Sequence, residues 1–263
     1  MKGVVIKSTG SWYSVRLKNG EQIEARIKGK FRLKGIRTTN PIAVGDNVIF
    51  SQEEDGTAVI NKIEDRKNYI IRKSINLSKR SHIIAANIDQ AILVVTLIEP
   101  KTYTAFIDRF LVTAEAYHIP AIIVFNKIDI YSDKENEQLA FLKKAYKKIG
   151  YQCLEVSATK NVNMNLLTAI MKDKVSMISG HSGVGKTTLL NIIEPNLNLK
   201  TSAISTLHKA GKHTTTFAEM FELSFGGFII YTPGIKAFGL IDFDKADLSH
   251  YFLEIRAVLD NCQ

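Results

Sequence analysis

Hydrophobic and polar residues alternate in short runs over the first 65 residues of the chain. Such alternation is typical of strands with one buried face. Asn19 and Gly20 stand between two of the runs and predict a hairpin with a type I′ turn, because that turn requires positive φ at both central residues. The predicted strands are Gly3–Lys7, Trp12–Leu17, Gln22–Ile27, Asp46–Phe50 and Ala58–Ile63. Several short strands in so small a segment predict a barrel of the OB type, a common binder of single-stranded nucleic acid.

The pattern changes in the rest of the chain. Lys67–Ser81 has no clear period, and we interpret it as a linker. Beyond it, unbroken apolar runs of strand length alternate with segments of helical spacing, which predicts a mostly parallel sheet with helices on both faces. The predicted strands are Ala91–Leu97, Ala121–Phe125 and Val175–Ser179, and the predicted helices are Phe106–Tyr117, Glu135–Lys148 and one that follows Lys186. The fold class is therefore α/β, preceded by a small all-β barrel.

Length and composition narrow the class of protein. The chain has 263 residues, of which 45% are hydrophobic and 23% charged, as in an ordinary globular protein with one large and one small domain. Its two cysteines, Cys153 and Cys262, lie far apart and form no disulfide framework. The N-terminus lacks an apolar signal core, and runs such as Ala91–Val95 fall far short of the roughly 18 residues of a membrane span. We expect a cytoplasmic protein with no membrane partner.

The positive charge is concentrated at one end of the chain. The formal net charge is +9, and residues 1–80 carry 17 Lys and Arg against 8 Asp and Glu. Residues 81–263 carry 18 of each sign and are neutral. A basic segment beside a neutral one is typical of a protein that binds a polyanion such as RNA. Solvated surface lysines are the alternative interpretation.

Gly180–Thr187 matches the phosphate-binding pattern of Gly, four residues, Gly, Lys, and Ser or Thr. The glycines let backbone N–H groups turn toward phosphates, and the following helix adds its positive end. We expect Lys186 to reach the β and γ phosphates and the Thr187 hydroxyl to bind magnesium. The alternative, a glycine-rich turn without a ligand, is disfavoured by the predicted flanking strand and helix. The predicted nucleotide contacts of this loop are Gly180, Ser182, Gly183, Val184, Gly185, Lys186, Thr187 and Thr188.

A second motif indicates which base is bound. Asn126, Lys127 and Asp129 have the form of the guanine-specifying motif of GTPases. The Asp129 carboxylate can accept both the ring N–H and the exocyclic amino hydrogen of guanine, a pairing that adenine cannot supply. We call Gly180–Thr187 the phosphate loop and Asn126–Asp129 the base-reading loop. We expect Asn126 to tie the two loops together, and the Lys127 stem to pack on the base. Ser157 and Ala158 supply the companion loop, whose N–H would meet the guanine O6. The joint match favours GTP and GDP over ATP, although a P-loop ATPase remains an alternative.

Two further stretches concern the γ-phosphate. The segment Gly211–Thr216 contains Thr214 and Thr215, whose hydroxyls could complete a magnesium shell, and the alternative is a polar surface loop. Tyr231 begins a Tyr-Thr-Pro-Gly stretch that stands where a GTPase carries Asp-x-x-Gly. The N–H of Gly234 would then contact the γ-phosphate.

The order of these motifs is unusual. The base-reading loops precede the phosphate loop, the reverse of ordinary GTPases, so the domain is circularly permuted; permutation is tolerated because domain termini lie at the surface and often close together. The chain resembles the RsgA (YjeQ/YloQ) family of circularly permuted GTPases in this order of motifs and in its basic barrel. It also resembles the family in three segments, which are Gly211–Thr216, Asn87–Gln90 and Asp108–Leu111. The resemblance covers nearly the whole chain.

The resemblance implies an OB-fold over residues 1–68, a permuted GTPase domain over 69–240, and the beginning of a zinc-binding domain over 241–263. It also implies a monomer that hydrolyses GTP during late maturation of the small ribosomal subunit, whose rRNA it binds. Ile235 stands where many GTPases place a water-orienting glutamine. The resemblance assigns that role to His213, which the residues alone would leave as a surface histidine. The catalytic set is then His213, Lys186 and Gly234.

The chain departs from the family pattern at two places. Tyr231 replaces the family's Asp, whose carboxylate holds a magnesium-bound water, so the alternative function is a nucleotide-gated RNA- or ribosome-binding module with weak hydrolysis. The family's zinc site needs several Cys and His, whereas this sequence ends just after Cys262. A lone cysteine cannot build a tetrahedral site, so zinc is expected only if the natural chain continues. Leu248–Leu259 is predicted to be a helix.

Overall fold

The structure is a computed structural model that describes residues 1–27, 41–54, 57–73, 81–199, 218–232, 244 and 246–259. The described residues fall into two compact units. The first comprises the described parts of Met1–Ile88, Thr214–Phe221 and Ile229–Pro233, and the second comprises those of Asp89–His213, Glu222–Phe228 and Gly234–Gln263.

The first unit is built around a closed barrel of five strands, as the alternating pattern predicted. Consecutive strands pair in the order β1-β2-β3-β5-β4, and β1 also pairs with β4, which closes the barrel. All pairings are antiparallel except the parallel pair β3 and β5. Its core is filled by inward-facing residues such as Val5, Tyr13, Val15, Val48 and Phe50. The strands are β1 (Lys2–Ser8), β2 (Trp12–Leu17), β3 (Gln22–Ile27), β4 (Asn47–Gln52) and β5 (Ala58–Ile63).

The hairpin between β2 and β3 is confirmed, but the predicted type I′ turn is wrong. Gly20 has φ of +89°, whereas Asn19 does not have positive φ. The N–H of Gly20 donates to the Leu17 carbonyl at 3.0 Å, and the Leu17 N–H donates to the Glu21 carbonyl at 2.8 Å. This is a type I turn followed by a glycine bulge. The Asn19 side chain accepts the Glu21 N–H at 3.1 Å, which stabilises the longer loop.

The predicted linker is wrong over Tyr69–Lys73. These residues form β6, which pairs antiparallel with β7 (Ser81–Ala86). The register shifts between Ile70 and Ile71, so the strand does not follow a simple alternation and its period is concealed in the sequence. Two later strands, β12 (Glu219–Glu222) and β13 (Phe228–Tyr231), follow in the chain, and β12 pairs with β1 at Glu219 and Lys7.

The second unit contains four parallel strands in the order β10-β9-β8-β11. Every residue of β8 and β9 is buried, as the unbroken apolar runs predicted. The strands are β8 (Gln90–Val95), β9 (Ala121–Phe125), β10 (Gln152–Glu155) and β11 (Val175–Ser179). The helices are α1 (Thr104–Ala116), α2 (Asp133–Ile149), α3 (Met164–Met171), α4 (Lys186–Ile193) and α5 (Leu253–Leu259), with short 3₁₀ turns at Ile128–Ile130, Pro195–Leu197 and Ala246–Tyr251.

The predicted helix Leu248–Leu259 is thus divided into a 3₁₀ turn and α5. Among the helices of the described ranges, none has both the length and the apolar character needed to cross a membrane.

Candidate nucleotide-binding site

Three of the predicted loops follow the carboxyl ends of parallel strands in the second unit. Asn126 comes directly after β9, Gly180 directly after β11, and Ser157 two residues after β10. Because parallel strands end at one edge of a sheet, these loops share that edge, where ligands of open α/β sheets bind.

The phosphate loop depends on its glycines. Gly180, Gly183 and Gly185 have φ of +140°, +86° and +96°, a region that residues with a Cβ rarely adopt. A Cβ on Gly180 would lie 2.3 Å from the Val94 carbonyl oxygen, and one on Gly185 would lie 2.4 Å from Nδ2 of Asn126. Gly185 is also the residue before α4, so the unpaired N–H groups of that helix begin where the loop ends.

Lys186 folds back into this loop. Its Nζ donates to the carbonyl oxygens of Gly180 and His181, both at 2.7 Å. Burial lowers the pKa of Lys186 to about 8. Thr187 is buried and Thr188 half-buried in the first turn of α4, whereas Ser182 and Gly183 are exposed. The loop therefore holds the Lys186 ammonium next to the N-terminal end of α4, two features that favour a phosphate.

Asn126 connects all three loops. Its side chain is 1% exposed. Its Nδ2 donates to the Val184 carbonyl at 2.8 Å, and its Oδ1 accepts the Ala158 N–H at 3.3 Å. A single buried amide thus joins the phosphate loop, the base-reading loop and the companion loop.

The Asp129 carboxylate is exposed and is held by two hydroxyls. Ser157 donates to its Oδ1, and Thr159 donates to its Oδ2 at 3.1 Å. The hydrogen bond from Ser157 is the main reason why the pKa of Asp129 is lowered. At neutral pH the group is therefore ionised and accepts hydrogen bonds only, as pairing with two N–H donors requires. Sequence reasoning missed Thr159; a hydroxyl two residues after Ser157 was its only signal.

Tyr131 is a second residue that sequence reasoning missed. Its side chain is buried, and its hydroxyl donates to the Asn126 carbonyl and accepts the Leu97 N–H, both at 2.9 Å. Burial raises the pKa of Tyr131 to about 12. The phenol thus joins the base-reading loop to the segment that leaves β8. No motif in the sequence indicated this.

The segment between β8 and α1 lies against two of the predicted loops. Lys127, at φ of +61°, donates through Nζ to the Glu99 carbonyl. A Cβ on Gly183 would lie 3.4 Å from Cδ of Pro100. At the start of α1, the Phe106 ring stacks on His181 with centroids 3.7 Å apart. This segment therefore lines the candidate site, although no sequence motif indicated it.

Five of the predicted site residues lie outside the described part of the chain: His213, Thr214, Thr215, Gly234 and Cys262. Tyr231 is the last residue of β13 and is 9% exposed, and the following Thr232 is also buried.

The described residues offer no zinc site. They contain no group of three or more His, Cys, Asp or Glu side chains placed to hold a metal ion. Cys153 is buried, and burial raises the pKa of its thiol to about 11, which disfavours the thiolate that zinc requires.

Comparison with known families decides the assignment of the chain. The model of the RsgA GTPase family matches residues 63–241, and that of the RsgA N-terminal domain matches residues 2–60. The chain belongs to the RsgA family of GTPases. It is 55% identical over 266 residues to the small ribosomal subunit biogenesis GTPase RsgA of Flavobacterium psychrophilum, covering 100% of this chain and 82% of the relative. It is 54% identical over 263 residues to RsgA 2 of Bacteroides thetaiotaomicron, covering 100% and 85%.

Solved structures of RsgA relatives share the fold. YjeQ from Thermotoga maritima matches with a TM-score of 0.77 at 33% identity, over 96% of this chain and 81% of that one. YloQ, a circularly permuted GTPase, matches with a TM-score of 0.73 at 29% identity, over 100% and 81%. The predicted family, the barrel followed by a circularly permuted GTPase domain, and the activity of a GTP hydrolase are confirmed.

Proposed function

We propose that this RsgA protein hydrolyses GTP to GDP and phosphate during late maturation of the small ribosomal subunit. The observation that carries the proposal is the bridge made by Asn126, which ties the phosphate loop to the loop of Asp129. One pocket then grips both ends of a single GTP. The names of the relatives support the small subunit as the partner.

In this proposal each loop recognises one part of the nucleotide. Asp129 accepts two hydrogen bonds from guanine, the Ala158 N–H meets the guanine O6, and the Lys127 stem packs on the base. The backbone of the phosphate loop surrounds the phosphates, and the Lys186 ammonium neutralises the β and γ phosphate charge.

Magnesium fits the donor set at the start of α4. Thr187 supplies a hydroxyl oxygen, a hard donor of the kind that Mg²⁺ prefers, and a phosphate-bound Mg²⁺ needs few protein ligands because phosphate and water oxygens complete its shell. When bound, the ion neutralises charge on the β and γ oxygens. Thr214 and Thr215 remain candidates for a further contact. His213 and Gly234 remain candidates for positioning the water and contacting the γ-phosphate.

For the rest of the molecule we propose the division into an OB-fold over residues 1–68, the GTPase domain over 69–240 and the start of a further domain over 241–263. The barrel contacts rRNA, supported by the excess of positive charge in residues 1–80. The protein acts as a cytoplasmic monomer. Cys262 would bind zinc only together with further Cys or His ligands.

A second function is favoured by one residue. Tyr231 carries a buried phenol at the end of β13, where the family pattern has a carboxylate. In the family pattern that carboxylate would hold a magnesium-bound water, so a chain without it would hydrolyse GTP more slowly. The alternative is therefore a nucleotide-gated module that binds rRNA and scarcely hydrolyses GTP.

Phosphate release from GTP, measured with and without purified small ribosomal subunits, tests both functions. The native chain and Tyr231→Asp are compared, and co-sedimentation with subunits is measured with GDP and with a non-hydrolysable GTP analogue. Stimulated turnover by the native chain supports the hydrolase. Nucleotide-dependent sedimentation with turnover only in Tyr231→Asp supports the binding module. If the native chain does not bind the subunits and is not stimulated by them, the ribosomal role is excluded.

A further inference from the structure

The two oxygens of the Asp129 carboxylate each receive one hydroxyl from the companion loop. Ser157 donates to Oδ1 and Thr159 donates to Oδ2. An ionised carboxylate offers about two acceptor sites on each oxygen. These two hydroxyls therefore take one site on each oxygen, and the carboxylate keeps acceptor capacity for guanine.

The two hydroxyls differ in how they are held. Ser157 is fully buried, and its Oγ accepts the Lys160 N–H at 3.1 Å, so its own hydrogen is directed to Asp129. Thr159 is exposed, and its Oγ1 lies 3.2 Å from the Ser157 Oγ. Ser157 is thus a fixed anchor for one oxygen. Thr159 holds the other oxygen from the same loop.

Two hydrogen bonds fix the plane of the Asp129 carboxylate, whereas one hydrogen bond leaves the carboxylate free to rotate. The terminal torsion of an Asp side chain is broad, so a carboxylate held at one oxygen still rotates about its last bond. A bidentate pair needs the carboxylate in the plane of its two donors.

We propose that Thr159 is a positioning residue for guanine discrimination, because its hydroxyl fixes the plane in which Asp129 receives the two N–H donors of the base. This inference rests on the proposed guanine pocket. It assigns to an exposed threonine a part of the specificity that the motif places on Asp129 alone.

Inosine diphosphate separates this role from general support of the loop. Its base keeps the ring N–H and lacks the exocyclic amino group, so it makes one of the two bonds to Asp129. A rotating carboxylate still makes one good bond but loses the alignment needed for two. Loss of Thr159 must therefore weaken GDP more than IDP.

The experiment is calorimetric titration of GDP, IDP and ADP into the native chain and its variants. For Thr159→Val we expect GDP binding to weaken about threefold to tenfold, the cost of one exposed bond to a charged group, and IDP binding to change by less than about twofold. Thr159→Ser, which keeps the hydroxyl, restores the native preference for GDP over IDP. Thr168→Val is the matched control, since that hydroxyl donates to the Met164 carbonyl within α3 at 3.0 Å.

Equal losses for GDP and IDP, or no loss for either, would overturn the role of Thr159. Thermal unfolding checks that each variant folds, and Thr159→Ala makes the same comparison if the valine variant does not. A native chain that binds GDP no more tightly than ADP would overturn the guanine pocket itself. If the native chain prefers GDP to ADP but the ratio of GDP to IDP affinity is unchanged in the Thr159 variants, only the role of Thr159 is overturned.

Discussion

The side chain of Asn126 donates a hydrogen bond of 2.8 Å to the carbonyl of Val184, 58 residues later in the chain. Its oxygen accepts the N–H of Ala158. The amide is buried, so neither backbone group has water as a substitute partner. The geometry of the phosphate loop and that of the base-reading loop are therefore coupled through one side chain.

Replacement of Asn126 by Ala should damage both stability and nucleotide binding. It leaves the Val184 carbonyl and the Ala158 N–H without partners in a buried place, at a cost of about 1–3 kcal/mol for each unsatisfied group. We expect a lower midpoint of thermal unfolding and GDP binding weakened at least about tenfold in calorimetry. Asn61→Ala is the control, because that amide bonds to Ser51 on the exposed face of the barrel. Native GDP affinity in Asn126→Ala would contradict the coupling.

Tyr131→Phe removes a single oxygen and keeps the volume of the side chain. The Leu97 N–H and the Asn126 carbonyl then lose their shared partner, so we expect the free energy of unfolding to fall by about 1–3 kcal/mol. GDP affinity should fall as well, since Asn126 is the residue that Tyr131 holds. Urea unfolding and GDP titration measure the two effects. Tyr103→Phe, at a side chain 66% exposed, should leave both unchanged. An effect of equal size in both variants would reject the positioning role of the buried phenol.

The sequence predicted the features that depend on residues close together in the chain. The glycines of the phosphate loop follow from the backbone turn that phosphate requires, and the buried strands follow from unbroken apolar runs. Thr159 and Tyr131 depend instead on how separate segments meet, which spacing along the chain does not encode. Tyr69–Lys73 was missed because a shift in register interrupts its pairing. The turn at Asn19 differed because a side-chain contact to Glu21 stabilises a longer loop.

Nucleotide binding should be coupled to protonation of Lys186. Burial lowers the pKa of Lys186 to about 8 in the protein without nucleotide, so the folded state loses this proton below the pH at which the unfolded chain does. A bound phosphate chain favours the ammonium and raises that pKa, so binding takes up protons at alkaline pH. We expect an uptake of nearly one proton at about pH 9 and about a tenth of a proton at pH 7, with GDP affinity falling as pH rises through 8.

Calorimetry in two buffers of different ionisation enthalpy measures this uptake directly. The binding enthalpy at pH 9 should differ between the buffers, whereas at pH 7 the difference should be small. The measurement at pH 7 serves as the control, because most Lys186 side chains are already charged there. Equal enthalpies in both buffers at pH 9 would contradict the coupling between nucleotide binding and protonation of Lys186.

Gly185→Ala should separate steric conflict from backbone strain. Gly185 has φ of +96°, and a Cβ there would lie 2.4 Å from Nδ2 of Asn126. Gly10 has nearly the same φ, +94°, but a Cβ at that position meets nothing within 4 Å.

The strain of a left-handed residue costs roughly 1–2 kcal/mol in either case. Gly10→Ala should show only this loss in thermal unfolding and bind GDP normally. Gly185→Ala must also push the Asn126 amide away from Val184, so its GDP binding should weaken at least about tenfold. Equal GDP affinities in the two variants would mean that Asn126 tolerates displacement, and the bond between Asn126 and Val184 would then not be what holds the pocket together.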